Sequence, residues 1–256
     1  MWHGDGWDVR TRVGVVVPHA DVGPESELSA MASGAVGVHT ARVPFGAMAA
    51  GGAMDPTIPL APVAAFVQPP HIDDAVALLA DAPVSVIGIG FTSSSYVLGA
   101  AGETAVVRRL SERTGGMPVI ATCAAAVDGL RRLGTSRIAL ISPPWFDAGL
   151  DALGAEYFSA QNFDVVFHAP CGLPSGQTSI HPAELHEWVR THVPSDAESV
   201  FIGGNGFRSV GVIEALEEAL RIPVLTANQA LFWSMLRSAK SPVTPRRYGR
   251  LFDVSD

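Results

Sequence analysis

Short, mostly apolar runs recur along the chain: Val13 to Val17, Val36 to Val43, Val84 to Ile89, Val119 to Thr122, Ile138 to Ile141, Val165 to Phe167, Val200 to Ile202 and Val224 to Thr226. They are rich in β-branched residues and largely lack the in-out alternation of a half-solvated strand, which is how strands buried on both faces of a parallel sheet read. Between them lie segments with helical period: His71 to Ala80, Tyr96 to Arg113, Ala124 to Leu133, Phe146 to Gln161, Pro182 to His192, Phe207 to Leu220 and Gln229 to Ser238. Strand and helix alternate, so the expected class is α/β with crossover connections.

A weak internal repeat divides this pattern in two. Phe91-Thr92-Ser93, a helix, the run Met117 to Cys123 and a second helix are echoed by Gly204-Asn205-Gly206, a helix, the run Ile222 to Asn228 and a last helix. The repeat predicts two similar lobes, each a parallel four-stranded sheet flanked by helices, related by a pseudo-two-fold axis with a cleft between them. Residues 1–124 and 228–256 are expected in the first lobe and 125–227 in the second. Ligands of parallel α/β sheets collect beyond the carboxyl ends of the strands, so the polar turns of both lobes would face one shared cleft. The segment Pro44 to Pro70, rich in Gly, Ala and Pro and poor in charge, reads either as a surface connection with a partly buried apolar face or as a lid.

Composition narrows the partners. A chain of 256 residues, 48% hydrophobic and 16% charged, can bury a full core and is too apolar to be disordered. A net charge of −8, with no cluster among the 17 Lys and Arg residues, argues against nucleic acid. The most apolar stretch, Ala75 to Gly90, is cut by Asp81 and Pro83 and is too short to span a bilayer, and Met1 to Arg12 lacks the apolar core of a secretory signal. No membrane partner and a cytoplasmic location are therefore expected. Cys123 and Cys171 are the only cysteines and have neither CxxC spacing nor a nearby histidine ligand pattern, so neither a disulfide framework nor a metal site is expected. Monomer and homo-oligomer both remain open.

The order and spacing of several segments resemble the aspartate/glutamate racemase superfamily, and within it the arylmalonate decarboxylase and maleate cis-trans isomerase branch. The residues that carry the resemblance are Phe91 to Ser95, Pro118 to Gly134, Ile222 to Trp233 and the tail Tyr248 to Asp253. The front end joins them through Val17-Pro18-His19-Ala20-Asp21, Glu25, Glu27 and the run His39 to Val43. The resemblance implies cofactor-independent chemistry on a small carboxylic or dicarboxylic acid, without metal. In the family, the turn after the third strand of the first lobe holds Cys or Gly followed by Thr-Ser, where this chain has Phe91. The matching turn of the second lobe holds Cys, where this chain has Gly204, and a family tyrosine falls on Pro144, with Trp145 beside it as a partial replacement.

Those departures narrow the chemistry that the resemblance implies. Racemisation needs one group to take a proton and another to return it on the opposite face, and isomerisation needs a thiolate to add to a double bond. Decarboxylation needs donors for a developing enediolate, an apolar wall against the departing carboxylate and one proton source. Thr92 and Ser93, with the Gly204-Asn205 turn, form the expected carboxylate cradle, unless the hydroxyls only cap the following helix. Phe91 is expected as a desolvating wall or as ordinary core. Cys123 and His19 are the candidate proton donors. Asp21, where the family has a ligand-binding Asn, would repel a carboxylate unless protonated or paired with His19. Asn228, the repeat partner of Cys123, is expected to bind ligand or order its turn. A decarboxylase-type lyase is thus favoured. The alternatives are a degenerate carboxylate-binding homologue, or an isomerase, epimerase or dehydratase that uses no cysteine.

Overall fold

The computed structural model describes residue 3 and residues 5–254; Met1, Trp2, Gly4, Ser255 and Asp256 lie outside the described residues, as do the expected lobe ends at 1 and 256. The first unit runs β1 (Thr11–Pro18), α1 (Gly23–Ala32), β2 (Val36–Val43), α2 (Leu60–Phe66), α3 (His71–Ala80), β3 (Ile87–Ile89), α4 (Thr92–Arg113), β4 (Val119–Ala121) and α5 (Thr122–Arg132). The second runs β5 (Arg137–Ser142), α6 (Ala148–Ser159), β6 (Asp164–Pro170), α7 (Pro182–His192), β7 (Ser199–Ile202), α8 (Ile213–Leu220), β8 (Val224–Thr226) and α9 (Ala227–Ser238).

Each unit builds one four-stranded parallel sheet, and the order is the same in both: β2-β1-β3-β4 and β6-β5-β7-β8. The two-sheet α/β architecture expected from the repeat is the one observed. The central strands β1, β5 and β7 are buried almost throughout, which explains their continuous apolar sequence.

Helix α9 follows β8 of the second sheet yet packs on α1, α5, β3 and β4. Gly88 in β3 makes room for it, since a Cβ there would come within 2.7 Å of Met235 Sδ and 3.1 Å of Leu231. The expected lobe limits at 124 and 228 fall inside α5 and in the first turn of α9.

Two helices, α1 and α2, were not legible in the periodicity, because α1 is only weakly amphipathic and α2 is short with Pro62 in it. Helix α4 starts at Thr92 rather than Tyr96, so Thr92 and Ser93 are its first turn and not its caps. Helix α5 starts at Thr122, which places Cys123 inside the helix and not in the turn before it.

Candidate active site between the two sheets

The carboxyl ends of β1, β3, β5 and β7 converge. Their turns, together with the segment after β2, enclose a cavity of about 30 Å³. Its polar side is Asp21, Thr92, Ser93, Gln177 and the turn Gly204-Asn205-Gly206; its apolar side is Phe45, Met48, Met54, Ile58, Phe91, Trp145 and Phe146. Seven of the expected site residues therefore line one cavity: Phe91, Thr92, Ser93, Gly204, Asn205, Asp21 and Trp145. Cys123, His19 and Asn228 do not line it.

The β3 and β7 turns meet directly. Thr92 Oγ1 donates to Asn205 Oδ1 at 2.5 Å and accepts from the Gly204 amide at 3.2 Å. Asn205 Nδ2 donates to Thr122 Oγ1 and to Asn228 Oδ1, and Asn228 Nδ2 donates to Glu27 Oε2 at 2.7 Å and to the Asn205 carbonyl. Glu27 Oε1 accepts from the amides of Ser209 and Val210. This continuous network joins the two units, and it occupies groups that would otherwise be free to hold a ligand. Thr92 and the Gly204 amide satisfy one another, and Asn228 sits behind the cavity as an ordering group. Ser93 is different: its hydroxyl takes no partner among the described residues, and it sits in the first turn of α4, which has no side-chain cap. A left-handed break at Gly99 (φ +65°) separates residues 92–98 from the rest of α4, so it is the free amides of this first turn, with the hydroxyl, that can face an anion.

Gly204 has φ +87°, and a Cβ there would overlap Cγ of Pro143. The turn after β7 thus combines a left-handed backbone with a proline ring against it, and a side chain at 204 is excluded twice. Phe91 packs edge-on against Phe45, with ring centres 4.9 Å apart, and is tilted against Phe66 at 4.2 Å. It serves as core and cavity wall at once.

Asp21 is the one acid–base side chain on the cavity among the described residues. Its Oδ1 accepts from the Gly23 amide at 2.8 Å and from Gln177 Nε2 at 2.6 Å, and Oδ2 has no partner among the described residues. Burial raises its pKa to about 6 against the hydrogen bonds of Gly23 and Gln177 and the charge of Arg42. Glu27, farther back, is raised to about 7, again chiefly by burial.

The two expected proton donors lie elsewhere. Cys123 is fully buried and donates to the Thr92 carbonyl at 3.6 Å; burial and the nearby Glu103 push its thiol well above the usual range. His19 is not paired with Asp21. Its Nδ1 accepts from the Phe45 amide at 3.1 Å, and it lines a separate outer pocket of about 970 Å³ with Arg42, residues 50–54 and residues 175–178. Gln177, which sequence reasoning missed, lies in a loop without periodicity, and only the fold brings it to Asp21.

The family model for arylmalonate decarboxylase matches residues 67–252. The chain belongs to the arylmalonate decarboxylase family. An arylmalonate decarboxylase from Bordetella bronchiseptica is 28% identical over 185 residues, covering 67% of this chain and 72% of that protein. A maleate cis-trans isomerase from Nocardia farcinica, solved as a mutant with a covalently bound succinylcysteine intermediate, is 26% identical with a TM-score of 0.82 and covers 96% of this chain and 99% of that one. A maleate isomerase from Pseudomonas putida, solved with maleate, has a TM-score of 0.83 at 21% identity over 96% of this chain and 98% of that one. The chain is thus similar in sequence to a decarboxylase and in fold to maleate isomerases. Among the described residues, no cluster of His, Cys, Asp or Glu could hold a metal ion, and no helix is long and apolar enough to cross a membrane.

Proposed function

We propose that this chain is a cofactor-independent, decarboxylase-type lyase acting on a small carboxylic or dicarboxylic acid, with Asp21 as the proton donor. The observation that carries the reading is that, among the described residues, Asp21 is the one titratable side chain lining an otherwise apolar or neutral cavity. A single acid suits a reaction that adds one proton at one face of a carbon; racemisation needs a second group opposite, and none lines the cavity among the described residues. The succinylcysteine of the Nocardia enzyme requires a thiol, and among the described residues no cysteine lines this cavity.

In the proposed step the substrate carboxylate to be retained lies at the N-terminus of α4 and the Ser93 hydroxyl. The carboxylate to be lost faces the Phe45, Phe91 and Trp145 side, where it is poorly solvated. The bond to that carboxylate breaks, carbon dioxide leaves, and the electron pair passes into an enediolate held at Ser93. Protonated Asp21 then delivers its proton to the carbon, and the resulting carboxylate regains a proton from solvent after product leaves. With a pKa of about 6 for Asp21, roughly a tenth of the free protein carries that proton at pH 7.

Carbon dioxide release from malonate and from methyl-, phenyl- and other 2-substituted malonates tests this, with Asp21→Asn as the control. Release above buffer that disappears in Asp21→Asn is the expected result. Release that survives in Asp21→Asn removes Asp21 from its role. Binding of these acids without any release would favour the second reading, a carboxylate-binding homologue.

A further inference from the structure

The inner cavity, at about 30 Å³, is the size of a single water, whereas the outer pocket measures about 970 Å³. Any carbon acid must enlarge the first by way of the second. Two side chains line both spaces, Met54 and Gln177, and so form the partition between them. Gln177 belongs to the second unit, at the start of a one-turn helix spanning Gln177–Ser179, and it reaches across the cleft to Asp21 in the first. It fits there because Gly206 has no side chain: a Cβ on Gly206 would overlap Gln177 Nε2. The apolar lining is held by the Phe45–Phe91 contact and by the bond from the Ile58 amide to the Trp145 carbonyl.

We propose that Gln177 is the gate of the inter-unit cavity, latched shut by its hydrogen bond to Asp21 and opened when that bond is exchanged for a carboxylate oxygen of the entering acid. The bond spans the two units, so opening needs only the short stretch 175–178 around Gln177 to swing outward, while both sheets, the Asn205 network and the start of the connection at Cys171 stay in place. The exchange is matched in kind, one carboxylate oxygen for another on the same amide, so the gate admits anionic acids more readily than their amides or esters. The inference rests on this cavity being the binding site, and not on which reaction occurs there.

Ser93→Cys puts a reporter thiol on the cavity wall at the cost of one atom exchanged, and the native Cys123 and Cys171, both buried, serve as internal controls. Labelling by iodoacetamide is followed at each cysteine by mass spectrometry in Ser93→Cys alone, with Gln177→Ala, and with Gln177→Met, which keeps the length but not the amide. Position 93 is expected to react slowly in the first protein. It should react about ten-fold faster or more in both Gln177 variants, as loss of one hydrogen bond to a carboxylate shifts the opening equilibrium. Cys123 and Cys171 should stay slow in all three. Position 93 reacting no faster in either variant overturns the gate. So does acceleration of Cys171 in step with it, since the whole connection would then have come loose. Labelling needs no turnover, so this outcome is independent of whether carbon dioxide release is found.

Discussion

Replacing Gly204 by alanine tests whether the turn after β7 has a backbone that excludes a side chain at the position where the sequence resemblance implies a thiol. At φ +87° an L residue is strained by about 1–2 kcal/mol. The added Cβ also overlaps Pro143, a ring tied to the backbone that cannot swing aside, and overpacking of this kind costs about 1–3 kcal/mol more. Together these give about 2–5 kcal/mol, which for a chain of this size lowers Tm by roughly 5–15 °C. Two further glycines separate the contributions. Gly134 has φ +70° with nothing within 4 Å of its would-be Cβ, so Gly134→Ala should cost about 1–2 kcal/mol, the backbone part alone. Gly211 has neither a positive φ nor a neighbour, so Gly211→Ala should stay within about 0.5 kcal/mol of the parent. Thermal and urea unfolding of the three variants, followed by circular dichroism, gives the ordering. If Gly204→Ala unfolds no more easily than Gly134→Ala, Pro143 yields at no cost, and Gly204→Cys becomes a reasonable route to thiol chemistry in this cleft.

Asp21 makes stability depend on pH in a direction that can be checked against Asp21→Asn. Its folded pKa of about 6 lies above the ordinary 3.8, so the unfolded chain ionises first as pH rises; stability is greatest below 3.8 and is lost up to about 6. Relative to the parent, Asp21→Asn should therefore gain up to about 3 kcal/mol between pH 4 and pH 8, and an unchanged difference across that range would show that Asp21 is not desolvated. Thr92→Val leaves Asn205 Oδ1 and the Gly204 amide unpaired in a buried cleft and should cost about 1–3 kcal/mol in urea unfolding. Ser93→Ala should leave stability nearly unchanged and, under the proposed role of its hydroxyl in holding the enediolate, lower any decarboxylation rate about 10²-fold; equal losses of stability in the two variants would refute that division.

The sequence by itself carried the strand order of events: eight apolar runs, the helices between them, and a repeat that placed Phe91-Thr92-Ser93 and Gly204-Asn205-Gly206 at equivalent turns. These signals are local, because burial on both faces of a parallel strand and the polar turn that follows each leave their mark within a few residues. A local signal was also present at Thr226-Ala227-Asn228-Gln229, whose side chains form a reciprocal cap, and it moves the start of α9 two residues ahead of the periodic run. What the sequence could not carry was which polar groups are used up by one another. Thr92, Asn205 and Asn228 read as ligand contacts one at a time, but their partners are 113 and 23 residues away, and only the closed cleft shows Thr92 bonded to Asn205 and Asn228 turned toward Glu27. The same is true of the acid. Asp21 and His19 are two residues apart, yet the turn after β1 sends one into the cavity and the other into the outer pocket, and the pairing of Asp21 with Gln177 spans 156 residues. Burial, which raises the Asp21 pKa, is a property of everything packed around the carboxyl and of nothing adjacent to it in the chain.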